Sequence, residues 1–150
     1  MGKTSFSGPV YGAKSLLWTV HRDNQLPAGN DTTTVTIGAI RVPGYEEWLV
    51  TEFKAWRGSS GSTAITTTFS LRDDGSVVGT LPIVDSNAGV LLSTTLGATA
   101  GEYEGLRVLA NSTLSVTIDH GGSSLAVSSN ITCWVYGFIR FISSSLRGEG

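Results

Sequence analysis

At 150 residues, with 40% of them hydrophobic and 15% charged, the chain suits one domain with a sizeable core. Ten Lys and Arg against 12 Asp and Glu give a formal net charge of -2, which excludes the basic field that holds nucleic acid and the polybasic run that holds a membrane surface. No apolar run approaches the ~18–20 residues of a transmembrane helix, and residues 1–7 lack a signal-peptide core. The single cysteine, Cys133, excludes an internal disulfide framework, as expected of a chain made in a cytoplasm and held together by packing.

Residues 1–14 are small and polar, with Phe6, Pro9, Val10 and Tyr11 as scattered apolar anchors and no period. They read either as a frayed terminus or as an extended arm whose anchors enter pockets on a partner. Ser15 to Arg22 alternates and is expected to be a strand, with Leu16, Trp18 and Val20 on one side. A polar loop from Asp23 to Asp31 leads to a second strand, Thr32 to Val42, in which Thr33, Val35, Ile37 and Ala39 oppose Thr34, Thr36, Gly38 and Ile40. Pro43-Gly44 ends it.

Tyr45 to Trp56 carries Tyr45, Leu49, Phe53 and Trp56 at helical spacing, but no N-cap precedes it and its neighbours are strands. It is expected to be a strand, with a bulge allowed. In regular alternation Trp48, Val50 and Trp56 share a face with Glu52 and Lys54, and Leu49, Thr51, Phe53 and Ala55 share the other. After Gly58-Ser59-Ser60-Gly61, the stretch Thr63 to Arg72 places Ile65, Thr67, Phe69 and Leu71 inward. Asp73-Asp74-Gly75 is a hairpin turn, because Asp-Gly tolerates positive φ. Ser76 to Val84 contains Pro82 and is expected at a sheet edge.

Val90 to Leu96 is a further strand, Leu106 to Ala110 a short one, and Thr113 to Asp119 has clean alternation with Leu114, Val116 and Ile118 inward. His120 to Ser123 reads as a turn and Leu125 to Val127 as a short edge strand. Asn130 to Ile142 is the densest run of aromatic and β-branched residues. Ile131, Cys133, Val135, Gly137, Ile139 and Phe141 share one face, and Thr132, Trp134, Tyr136, Phe138 and Arg140 share the other. Both faces need cover, one from the domain's own core and one from another layer or subunit. Trp134, Tyr136 and Phe138 are therefore expected at an oligomer interface. Eight or nine short strands without a helix indicate an all-β fold, an antiparallel β-sandwich of jelly-roll type over residues 15–142, flanked by the arm at 1–14 and a loose tail at 143–150.

Candidate chemistry is dispersed. His21 and His120 form no metal-ligand spacing, and Asp73-Asp74-Gly75 lacks the later ligands of a calcium loop. Asp119, His120, Ser123 and Ser124 are sequence neighbours without a nucleophile elbow. Cys133 sits mid-strand as a small core residue, and the pairs Glu46/Glu47 and Glu102/Glu104 read as solvated charge. No catalytic residue, metal or cofactor is expected. Trp18, Trp48, Trp56 and Trp134 could stack sugars, although packing is the commoner use of tryptophan in sandwiches.

The segment Thr4-Ser5-Phe6-Ser7-Gly8-Pro9-Val10 ahead of an all-β body resembles the start of virion proteins of tailed bacteriophages. The run Val42-Pro43-Gly44 into Trp48 to Trp56 is similar to that pattern. So are Phe69 to Gly75 and Leu114 to Ile118 before Trp134-Val135-Tyr136-Gly137-Phe138. The resemblance covers most of the chain through loose motifs and is to jelly-roll modules used as capsid decoration (cement) proteins and in head fibres. It implies a non-enzymatic protein, commonly a homotrimer, located on the capsid surface and bracing the major capsid protein, with neither nucleic acid nor membrane as partner. No catalytic or ligand residues carry over. The alternative is a receptor- or glycan-binding module of a tail or head fibre, which would share the fold.

Overall fold

The computed structural model describes residues 14–22, 34–58, 66–84, 89–96, 105–121 and 130–142, without the side chains of residues 120 and 121. Nine strands run in chain order: β1 Lys14–Arg22, β2 Val35–Arg41, β3 Glu46–Arg57, β4 Thr66–Asp73, β5 Ser76–Ile83, β6 Leu92–Thr95, β7 Leu106–Val108, β8 Thr113–Gly121 and β9 Ile131–Phe141. The stretch from Tyr45 with helical spacing is therefore a strand, and β8 runs through His120 and Gly121, where a turn was predicted. The predicted strand at Leu125 to Val127, residues 1–13 of the arm and the tail lie outside the described residues, while Lys14, counted with the arm, opens β1.

The strands form two antiparallel sheets, one ordered β1-β9-β3-β6 with β7 also paired to β3, the other ordered β2-β8-β4-β5. Apart from the β4–β5 hairpin and the β6–β7 step, each connection passes from one sheet to the other. That crossing order is a jelly roll. β6 and β7 both lie along β3, beside Glu52–Ala55 and Trp48–Val50 respectively, so they act as one edge strand in two pieces. β5, with Pro82, is the edge of its sheet as predicted, since proline has no N–H for a second ladder.

Turn chemistry closes the β4–β5 hairpin. Asp74 and Gly75 have φ of 46° and 88°, the left-handed pair that a two-residue hairpin loop requires. The Asp74 carboxylate also accepts the Thr113 backbone N–H at 2.8 Å, fastening the turn to β8.

The core lies between the sheets. Leu16 and Val20 of β1, Phe69 and Leu71 of β4, Leu114, Val116 and Ile118 of β8, and Ile131, Cys133 and Val135 of β9 are all buried there. Each large apolar side chain buried in this way contributes about 1.5–3 kcal/mol relative to exposure.

Two bulges change which residues face the core. The β3–β9 register slips between Val50 and Glu52, leaving Thr51 as the extra residue. Trp48 and Val50 therefore point inward together with Phe53 and Ala55, while Glu52, Lys54 and Trp56 point outward. Regular alternation had put Trp48 and Val50 on the face of Trp56. The second slip lies between Thr36 and Gly38 in β2. Past it Gly38 and Ile40 align with the inward Val116 and Leu114, and Ala39 is exposed, off the face of Val35 that it was expected to share. A bulge adds one residue to one strand and so reverses the face of everything after it.

A candidate interaction surface on the outer face

β9 occupies the middle of its sheet, paired to β1 on one side and β3 on the other. Its burial alternates residue by residue from Ile131 to Ile139, so both predicted faces are present. The inward side packs in the core. The outward side carries Thr132, Trp134, Tyr136, Phe138 and Arg140, and the predicted interface residues Trp134, Tyr136 and Phe138 thus share one stripe on the outer surface of the sandwich.

The register fixes their neighbours. Leu17 of β1 stands opposite Tyr136, and Thr19 opposite Trp134. On the other side Lys54 stands opposite Trp134, Glu52 opposite Tyr136, and Leu49 opposite Phe138. Leu17 is 60% exposed and Phe138 40%, while Trp134 and Tyr136 are half-buried by these neighbours. The Lys54 ammonium sits 5.1 Å from the Tyr136 ring centroid and 3.5 Å from the Glu52 carboxylate. A cation in that position is attracted by the ring's negative face. At the far end of β9, Thr132 Oγ1 and His21 Nδ1 are 2.8 Å apart.

The other end of the face is ionic. Glu47 is buried, and its carboxylate accepts the Arg107 Nε–H at 2.9 Å and meets Arg140 Nη2 at 3.1 Å. Glu46 is also buried, on the opposite side, and accepts the Trp48 indole N–H at 2.7 Å. These two carboxylates are not the solvated pair that the sequence suggested. A buried carboxylate needs partners to offset its lost hydration, and here they come from β7, β9 and the neighbouring tryptophan.

Close strand approach shapes the middle of the sheet. A Cβ on Gly137 would lie 2.0 Å from the Leu49 carbonyl oxygen, so only glycine lets β3 pass β9 just before the Thr51 bulge. The bulge is closed by the Leu96 N–H donating to the Thr51 carbonyl at 3.1 Å.

The remaining sequence candidates are not brought together. Trp18 and Trp48 face the interior while Trp56 and Trp134 face outward, so the four tryptophans do not make one stacking platform. Cys133 is buried on the inward side, and burial pushes its thiol far above the usual range, which keeps it from acting as a thiolate. Asp119 is on β8, whereas the His120 side chain, Ser123, Ser124, Glu102 and Glu104 lie outside the described residues, as do Phe6, Pro9, Val10 and Tyr11. Among the described residues no group of three or more His, Cys, Asp or Glu could hold a metal ion. The surface on view is suited to recognition by packing and charge. The ionic cluster of Glu47, Arg107 and Arg140 was missed by sequence reading, and its only hint was an acidic pair set directly before a tryptophan.

No protein-family model matches the sequence, and no curated protein matches it. Among solved structures, a chain in the acidic stable capsid of Helicobacter pylori bacteriophage KHP30 is similar at 14% identity, over 87% of this chain and 91% of that one, with a TM-score of 0.47. A chain in the native virion of Kashmir bee virus is similar at 10% identity, over 95% and 77%, with a TM-score of 0.39. The C-terminal domain of EclA, a sugar-binding protein, is similar at 15% identity, over 87% and 81%, with a TM-score of 0.35. All three TM-scores fall below 0.5, so nothing about partners or activity passes from these proteins to this chain.

Proposed function

We propose that the chain is a structural virion protein, a decoration protein that sits on the outer surface of a tailed-phage head as a homotrimer and braces contacts of the major capsid protein. The observation that carries this reading is the outer face of the β1-β9-β3 sheet. Leu17, Trp134, Tyr136 and Phe138 stand there side by side on a sandwich whose interior is already filled by its own side chains. An apolar patch flanked by charged groups is what a self-association or capsid contact uses. Jelly rolls serve capsids, lectins and cupins. Among the described residues the inward side chains are mostly aliphatic and aromatic and hold no cluster of His, Cys, Asp or Glu such as a cupin uses for metal, and the tryptophans are split between two faces, where a lectin platform would gather them. The N-terminal arm with Phe6, Pro9, Val10 and Tyr11 is proposed as a second attachment, through many weak contacts repeated by symmetry.

The test is sedimentation of the purified chain with phage heads that lack it. Saturable co-sedimentation, with heads that resist heat or chelator better once bound, supports the reading. Free chain at the top of the gradient at every concentration overturns it.

A further inference from the structure

A jelly roll has four sheet edges, and three of them here are blunted. β5 carries Pro82 and a register slip opposite Leu71 and Arg72. The β6/β7 edge is two short pieces of four and three residues. β2 is interrupted by its bulge at Ile37. β1 differs from all of them. Its nine residues pair with β9 in unbroken register from Lys14 opposite Ile139 to Arg22 opposite Ile131, and among the described residues its other side meets no strand. It holds no proline and no glycine. Natural proteins avoid leaving a long, regular edge of this kind, because its row of backbone donors and acceptors is a template for another strand.

Beside this edge lies a cleft of about 230 Å³ between β1 and β2. Buried Val20 and Ile37 and half-buried Trp18 line it together with Gly38, and exposed His21 and Arg22 stand around it. Gly38 keeps it narrow at one point, since a Cβ there would come within 2.9 Å of both Val20 methyl groups. The cleft is open to solvent and mostly polar where accessible, and it is wide enough to take one side chain of a strand laid along β1.

We propose that the β1 edge is a docking site for an extended peptide strand of another protein, with apolar residues at alternate positions and acidic residues at its ends. This goes beyond the decoration reading and holds whether or not the chain is a virion protein. Backbone hydrogen bonds to β1 supply affinity, and the cleft selects a side chain, as in β-strand addition generally. Charge picks the occupant. Lys14 stands at one end of the edge and Arg22 at the other, with no acid on the strand. A second copy pairing antiparallel about Trp18 would set Lys14 against Arg22 twice, and like charges directly opposite are destabilising. An acid-ended strand meets both ends favourably.

The probe is a fluorescein-labelled nine-residue peptide alternating valine and threonine with an aspartate at each end, titrated by anisotropy against the full chain. Saturable binding is expected, weakening with added salt, with loss of about tenfold or more when the end aspartates are replaced by lysine. A central proline in the peptide should abolish it, because the ladder is interrupted. On the protein, Ala39→Trp crowds the cleft from an exposed position, and the double variant Lys14→Glu/Arg22→Glu reverses the ends. Both should keep the wild-type melting temperature, the first losing binding and the second coming to prefer the lysine-ended peptide. Absence of binding by the folded wild-type chain overturns the proposal, as does equal binding of aspartate- and lysine-ended peptides. A light-scattering mass that falls for Ala39→Trp while the melting temperature is kept shows the edge taken by a second copy, and also overturns it.

Discussion

Gly137→Ala is the substitution that the geometry of the central sheet forbids most plainly. The added methyl would sit 2.0 Å from the Leu49 carbonyl oxygen, 2.9 Å from its carbonyl carbon and 3.0 Å from the Val50 Cα, all backbone atoms of the neighbouring strand. Backbone cannot swing aside as a side-chain tip can, so β3 must retreat by roughly 1 Å where strands are about 4.8 Å apart. Hydrogen bonds stretched by that much lie outside the ~2.7–3.2 Å range. Each one lost costs about 0.5–1.5 kcal/mol. Overpacking strain adds about 1–3 kcal/mol. With two bonds weakened the cost is about 4 kcal/mol, and at ~2–4 °C per kcal/mol for a chain of this size the melting temperature should fall by roughly 8–16 °C. Gly75→Ala is the control. Gly75 has φ of 88° with nothing within 4 Å of its Cβ position, so only conformational strain of about 1 kcal/mol is expected. Scanning calorimetry or urea unfolding of the two variants decides it. Gly137→Ala melting within 2 °C of wild type would refute the close approach of β3 and β9 and with it the bulge at Thr51.

Four further outcomes are expected. Glu47→Gln leaves Arg107 and Arg140 facing a neutral amide, and because Arg107 is 55% exposed the cost should be about 1–3 kcal/mol, below the ~3–5 kcal/mol of a fully buried pair, measured by urea unfolding. Burial, with the Asp74 carboxylate adding to it, raises the Asp73 pKa above 3.8. The folded state therefore holds that proton more tightly, and the stability so gained is present below about pH 3.8 and lost as pH rises through the raised value. Asp73→Asn should then be more stable than wild type at pH 7, an advantage that shrinks on acidification and is gone below about pH 3.8 in a pH series of melting temperatures. Cys133 should not react with a thiol reagent in the native state and should react once urea unfolds the chain, since it is buried and its thiol is held protonated. Deleting residues 3–13, which stops short of Lys14 in β1, should leave the melting temperature nearly unchanged while weakening attachment to phage heads, and undiminished attachment would remove the arm from the account.

Legibility in the sequence followed local pattern. β9 and β8 alternate without interruption, and both faces of each are where alternation put them. Asp74-Gly75 and Pro82 act through backbone rules that depend on a few neighbours only, so the hairpin and the edge were readable. A bulge was allowed for in the strand from Tyr45 to Trp56, but its place at Thr51 was not readable, and the bulge at Ile37 was not foreseen. Neither residue type announces an extra position, and each bulge exists because the opposite strand, 60 or more residues away, sets the register. That one-residue slip is what moved Trp48 and Val50 inward and Ala39 outward. Glu47 was misread for a similar reason, since its partners Arg107 and Arg140 come from β7 and β9 and only the folded sheet brings them to it. The outer aromatic stripe was legible, because it lies on one strand.

The claim that this stripe is an assembly face is tested most directly by the solution mass of the chain, taken by light scattering at micromolar concentration. The account predicts three times the chain mass of 15.7 kDa for the wild type. It predicts a shift toward the single-chain mass, with the melting temperature of the isolated sandwich preserved, for Leu17→Ser/Phe138→Ser, which alters the two most exposed residues of the patch. A wild-type mass of 15.7 kDa, or a double variant that assembles as the wild type does, would contradict it.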